Sequence, residues 1–164
     1  MSVAEKLERL VRIVPGIAGY QDRENARETD KLVRMRLSNE IGQLVRDLEG
    51  DKRRLLDAGD RSQLALLDRL AGKLEKLGRM AEYAGRGYSG LFDLHKVDQK
   101  ALERLYAFDL GLFETLTTVK AKATAVHQSR QDPQALTRAG DEMETALDDF
   151  ERAFDGRRQL LAVE

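Results

Sequence analysis

The chain has 164 residues, 41% of them apolar and 35% charged, with a formal net charge of −1 and a pI near 6.2. That length suits one domain spanning 1–164 with a real core, and the composition is that of an ordered helical protein. The near-neutral balance lacks the basic excess of a nucleic-acid-binding domain, so no nucleic-acid partner is expected. The absence of cysteine rules out disulfides and thiolate metal sites and fits a reducing, cytoplasmic setting. No apolar run approaches the roughly 18 residues of a membrane span. The opening MSVAEKLERLVRIV has acids among its apolar residues and no h-region, so it does not read as a secretory signal.

Ser2 and Glu5 form a capping box, and Val3, Leu7, Leu10 and Val14 recur at 4-3-4 spacing, which predicts a short amphipathic helix ended by Pro15-Gly16. A second helix is expected from about Asp22 to Ala58, with the stripe Val33, Leu37, Ile41, Leu44, Leu48 and Leu55. Gly59 suits its C-terminal turn, and Asp60 with Gln63 is expected to cap the third helix, Arg61–Gly85. That third helix carries Leu67, Leu70, Leu74, Leu77, Ala81 and Ala84. The fourth, Asp98–His127, shows Leu102, Leu105, Asp109, Leu112, Leu116, Val119, Ala123 and Val126. The fifth begins at Asp132-Pro133, a cap followed by proline at the first helical position, and runs through Leu136, Ala139, Met143, Ala146, Phe150, Ala153 and Leu160. The 3-4 alternation of the four long stripes is the period of left-handed bundle packing. The expected fold is all-α: an antiparallel four-helix bundle with an additional short N-terminal helix and a long ordered loop between the third and fourth helices. Glycines inside the helices each cost about 1 kcal/mol relative to alanine, and reflect either close helix approach or a coding bias.

The segment GRGYSGLFDLHKVD (85–98) is longer than the roughly 2–8 residues that a helix–helix connection needs. The second helix outruns the third, and an excess of roughly ten residues overhangs by about 15 Å. The loop therefore has a task available, folding back over Arg23–Lys31. Tyr20, Arg23, Arg27, Asp30, Tyr88, Phe92, Asp93 and His95 converge on this end, together with Tyr106 and Asp109. Asp109 sits at a core position of the stripe and Asp30 close to one. A buried carboxylate without a partner is very costly, so Arg27, Lys31, Arg34 or a tyrosine hydroxyl is expected beside each. Asp30, Tyr106 and Asp109 are thus expected to form a buried polar layer. Arg23, Arg27, Lys31 and Arg34 lie at 4-4-3 spacing. They read either as members of intrahelical pairs (Glu24–Arg27, Glu28–Lys31, Asp30–Arg34) or as a docking stripe for an acidic partner or phosphate.

Catalytic motifs are not found. GYSGL has Leu91 where a nucleophile elbow needs its second glycine, and no strand precedes it. Neither His95 nor His127 stands three residues after a glutamate, as a di-iron bundle requires. Asp93 and His95 offer at most a weak surface metal site, and no phosphate-binding or dinucleotide fingerprint is present. No metal, no cofactor and no enzymatic activity are expected. The first helix has mixed charge and a narrow apolar face, so it is expected to pack on the bundle rather than on a membrane surface.

PGIAGYQDRE (15–24), GYSGLFD (87–93) and LERLYAFDL (102–110) together resemble an uncharacterised group of bacterial helical proteins. That group carries P-G-x-x-G-Y-x-x-R-E, then G-Y-x-G-F-F-D, then a tyrosine-rich start to the next helix; Leu91 departs from the pattern. The resemblance implies a scaffold or adaptor encoded near membrane-associated stomatin-like or zinc-ribbon proteins.

The leading expectation is a non-enzymatic module that docks a protein partner, or its own copy, through the capped end, with Tyr20, Arg23, Arg27, Tyr88, Phe92 and Asp93 as the contact residues and any membrane association indirect through that partner. Aromatics and arginine are the usual anchors of such surfaces. Two alternatives stand beside it: a small-ligand or anion pocket at that end with Arg23, Arg27 and Asp109 as polar contacts, and a purely structural latch with the interface elsewhere.

Overall fold

The computed structural model describes residues 1–84 and 99–161, apart from the side chains of Arg23, Leu160 and Leu161. Among the described residues there are five helices and no strand: α1 (Val3–Ile13), α2 (Arg23–Asp57), α3 (Leu64–Tyr83), α4 (Gln99–Gln128) and α5 (Pro133–Leu161). The expected loop between α3 and α4 lies outside the described residues.

The helix ends follow local chemistry. Ser2 Oγ accepts from the Glu5 amide at 3.2 Å while the Glu5 carboxylate accepts from the Ser2 amide at 2.5 Å, the reciprocal box that starts α1. Asp22 accepts from the Asn25 amide at 3.0 Å and caps α2. α2 stops at a left-handed glycine, Gly59, with φ +77°. There the Asp60 amide donates back to the Leu55 carbonyl and the Gly59 amide to the Leu56 carbonyl, a Schellman closure. Asp132 accepts from the amides of Gln134 and Ala135 at 3.1 and 3.2 Å, where its position before Pro133 predicts a cap.

The start of α3 is a correction. Asp60 does not cap the helix; its carboxylate accepts from the amide and the hydroxyl of Ser62 at 2.9 and 2.7 Å. This local turn delays helix entry to Leu64, with Gln63 in the cap position and making no side-chain cap bond.

The apolar stripes face one another. Val33, Leu37, Ile41, Leu67, Leu70, Leu74, Leu112, Leu116, Val119, Leu136, Met143 and Phe150 are all essentially inaccessible. α2 packs along α3, α4 along α5, and thinner seams join α3 to α5 and α2 to α4. Charged pairs mark the seams: Lys52–Asp68 between α2 and α3 at 2.5 Å, Lys122–Glu142 between α4 and α5 at 2.9 Å, Lys73–Asp148 between α3 and α5 at 2.8 Å, and Lys120–Glu40 between α2 and α4 at 2.7 Å. Exposed pairs of this kind contribute at most about 1 kcal/mol each, so they report register more than they hold it. At one contact between α3 and α5 the fit demands glycine: a Cβ on Gly140 would lie 2.6 Å from Leu66 Cδ2. α1 lies on α4, where Lys6 meets Glu103 at 3.0 Å.

α2 has 35 residues against 20 in α3. Arg34 reaches the Glu82 carbonyl in the last turn of α3 at 2.8 Å, so the residues of α2 before Arg34 project past α3. The overhang expected from the sequence is present, and it positions the site below. No helix among the described residues is long and apolar enough to cross a membrane.

Candidate functional site

The projecting turns of α2 bring Thr29 and Asp30 against α4, α5 and the segment that precedes α2. That segment, Val14–Asp22, makes two turns at Gly16 and Gly19, with φ of +92° and +101°. Glycine is required at the second for a further reason: a Cβ there would lie 2.6 Å from Tyr106 Oη. The Gly19 amide donates to Thr29 Oγ1 at 3.1 Å, and the same hydroxyl donates to the Gly19 carbonyl at 3.0 Å. The next amide, of Tyr20, donates to Tyr106 Oη at 2.9 Å. These bonds aim the Tyr20 side chain into the bundle, where its ring lies 5.3 Å from that of Tyr106, tilted by 39°.

Inside, Tyr20 Oη donates a hydrogen bond to Asp109 Oδ2. Arg157 Nε donates to Asp109 Oδ1 at 2.6 Å, its Nη1 to Asp30 Oδ1 at 2.8 Å and its Nη2 to Tyr20 Oη at 3.3 Å. Arg34 Nε completes the set by donating to Asp30 Oδ2 at 2.9 Å. Tyr20, Tyr106, Asp109 and Arg157 are each 0% exposed and Asp30 3%. The two carboxylates and the two guanidinium groups balance in charge, which lets ions persist away from water. Burial alone disfavours the Arg157 charge, but Asp109, Tyr20 and Asp30 outweigh it and hold the guanidinium above its ordinary value. Burial, reinforced by the Asp109 charge, pushes the Tyr20 hydroxyl well above the usual phenol range, so it remains a donor. Tyr106 is raised too, mainly by burial, with the Tyr20 amide opposing.

Asp30, Tyr106 and Asp109 therefore come together as the expected buried layer. Two of the expected partners are present, Arg34 on Asp30 and a tyrosine hydroxyl, that of Tyr20, on Asp109. The cation shared by both carboxylates, however, is Arg157, from the last turns of α5. Its signal was present: the 3-4 stepping Met143, Ala146, Phe150, Ala153 lands next on position 157. Tyr20 is corrected from a surface anchor to a buried donor, since every polar bond described for it points inward. Asp109 is likewise closed to a ligand at this end, because both oxygens are occupied and none of its surface is exposed. Arg27 is exposed and lines a shallow depression with Glu24, Asn25 and Glu28. The Arg23 side chain and Tyr88, Phe92, Asp93 and His95 lie outside the described residues.

A second polar layer, which the apolar stripe of α2 steps over, centres on Asp51, 2% exposed. Its Oδ1 meets His127 Nδ1 at 2.6 Å, Arg54 at 3.2 Å and Arg130 at 3.4 Å. This layer floors one end of an open groove of about 560 Å³ between α2 and α4, with Leu44, Leu48 and Ala123 beneath and Glu40, Asp47 and Lys120 on its rim. Among the described residues no group of three metal-ligating side chains is close enough to hold a metal ion. No family model, curated protein or solved structure matches the chain.

Proposed function

We propose that the protein is a non-enzymatic helical scaffold that docks a protein partner, with the Tyr20–Asp109–Arg157–Asp30 cluster as a structural latch and the interface elsewhere on the exposed surface. The observation that carries this reading is the burial of the cluster: Tyr20, Asp109 and Arg157 are 0% exposed and Asp30 3%, so they present almost no surface to a partner or an anion. We infer further that α2–α5 form an antiparallel four-helix bundle. Supporting this, Lys52 pairs with Asp68 at one end of the α2–α3 seam and Arg34 with the Glu82 carbonyl toward the other. Along α4 and α5, Lys122 meets Glu142 while Asp109 meets Arg157.

The surface assigned to the partner is the groove between α2 and α4, where Asp47 is exposed and its one described side-chain partner is Gln43. A cytoplasmic location and a membrane association only through the partner belong to the same reading. The test is a pull-down from host lysate with wild type, Asp47→Arg and Arg27→Glu, each checked for helicity. A prey kept by Arg27→Glu and lost with Asp47→Arg supports the groove. A prey lost with Arg27→Glu and kept with Asp47→Arg would return the interface to the capped end.

A further inference from the structure

The segment before α2 has the construction of a separable unit. α1 starts from its own capping box, Ser2 with Glu5, and needs no residue of the bundle to begin. α2 starts from Asp22, whose carboxylate accepts from Asn25 within the same turn. Both helix starts thus survive if the chain between them moves. Gln21 and Asp22, at the junction, are exposed.

The attachments between this unit and the bundle lie along α4, at the start of α2 and at Arg157 of α5. Lys6 and Arg9 pair with Glu103 and Glu114 on the surface of α4, at 3.0 and 3.7 Å. Leu10, Val14 and Ile17 bury apolar surface. Gly19 exchanges two hydrogen bonds with Thr29, and the Tyr20 amide and hydroxyl reach Tyr106, Asp109 and Arg157.

Tyr20 is also the neutral member of the buried cluster. Asp30, Asp109, Arg34 and Arg157 come from the bundle helices, and they balance in charge without it. Withdrawing Tyr20 strands no net charge, whereas withdrawing Arg157 would leave two carboxylates together.

We propose that residues 1–20 are a strap that undocks as one unit, hinged at Gln21 and Asp22, exposing the Asp30–Arg157–Asp109 cluster while α2–α5 stay folded. The strap covers the part of the α2–α4 seam at Thr29 and Tyr106; the groove from Glu40 to Arg54 is the part of that seam it does not reach. This inference is independent of the partner-docking reading, because the strap opens without a partner.

Hydrogen exchange on the full chain, read by mass spectrometry at peptide resolution, tests it. The expected result is that the amides of residues 5–20 exchange together and faster than those of Leu37–Leu48 and Leu70–Leu77. Tyr20→Phe should accelerate strap exchange by about tenfold or more, the loss of a hydrogen bond to a charged acceptor, with the strap still exchanging faster than the bundle centre. A second experiment keeps the matter open to decision if that variant folds poorly. The chain has no cysteine, so Lys6→Cys and Glu103→Cys can be joined by a short bis-maleimide. The tether should slow strap exchange to the rate of the bundle, while the unjoined double variant keeps the fast phase. Exchange of residues 5–20 at the bundle's own rate in the wild type, or a strap rate left unchanged by Tyr20→Phe or by the tether, would overturn the proposal.

Discussion

The two polar layers answer the same problem, a carboxylate on the core stripe of a helix, in opposite ways. Around Asp30 and Asp109 the charges come in balance, two carboxylates to two guanidinium groups, and a tyrosine from outside the bundle helices is the innermost donor of the strap. Around Asp51 one oxygen gathers Arg54, His127 and Arg130, and two of these are well exposed, with side-chain accessibilities of 60% for Arg54 and 48% for His127. The first layer is closed from the surface, and its two carboxylates depend on their shared cation. The second is a buried acid served from a wet groove, where water can replace a missing partner. Burial of the partners, more than burial of the acid, decides how much a layer contributes.

That difference orders the expected effects of substitution. Arg157→Leu should be the most damaging, at about 3–5 kcal/mol in urea unfolding, because Asp30 and Asp109 are left buried without their shared cation. Tyr20→Phe should cost about 1.5–3 kcal/mol through the lost bond to an ionised acceptor. It should also change the alkaline limb of stability. An unfolded tyrosine ionises near pH 10, while burial beside Asp109 keeps Tyr20 protonated well above that. The folded state then holds one more proton above about pH 10, so wild-type stability falls as pH rises from there, and Tyr20→Phe should fall less steeply. Unfolding midpoints from pH 7 to 11 measure this directly. Asp51→Ala should cost less, about 1–2 kcal/mol, since two of the partners it leaves, Arg54 and His127, are open to solvent. An Asp51→Ala cost matching that of Arg157→Leu would erase the contrast between the layers. Glu40→Gln, which removes the rim contact to Lys120 across the groove, should shift stability by no more than about 1 kcal/mol.

Much of the helical framework was legible from residues alone, because it rests on local rules. Ser2 with Glu5, Asp132 before Pro133 and Gly59 each act within four or five residues of chain, and the apolar stripes repeat every turn. Asp60 misled because the same short-range chemistry offers two outcomes, a helix cap or a turn onto Ser62, and the serine two residues on won. The polar core was half legible. A carboxylate at position 109 of an apolar stripe announces that a partner must exist, but the partner lies 48 residues away on another helix. Spacing along one helix offers only neighbours such as Arg34. Arg157 and Asp51 were passed over because both stand on core stripes read for their apolar members. Tyr20 was placed on the surface since an aromatic beside arginines resembles a docking anchor. The need for a tyrosine hydroxyl beside a buried carboxylate is legible in the sequence; which tyrosine supplies it takes tertiary contact.

The most direct test of the latch is a double-mutant cycle on Tyr20 and Asp109, using Tyr20→Phe, Asp109→Asn and the pair, in urea unfolding at pH 7. A closed layer predicts strong non-additivity, with a coupling of about 1 kcal/mol or more between the two positions. Effects that add to within about 0.3–0.5 kcal/mol would mean that the hydroxyl and the carboxylate act independently, and the latch would be contradicted.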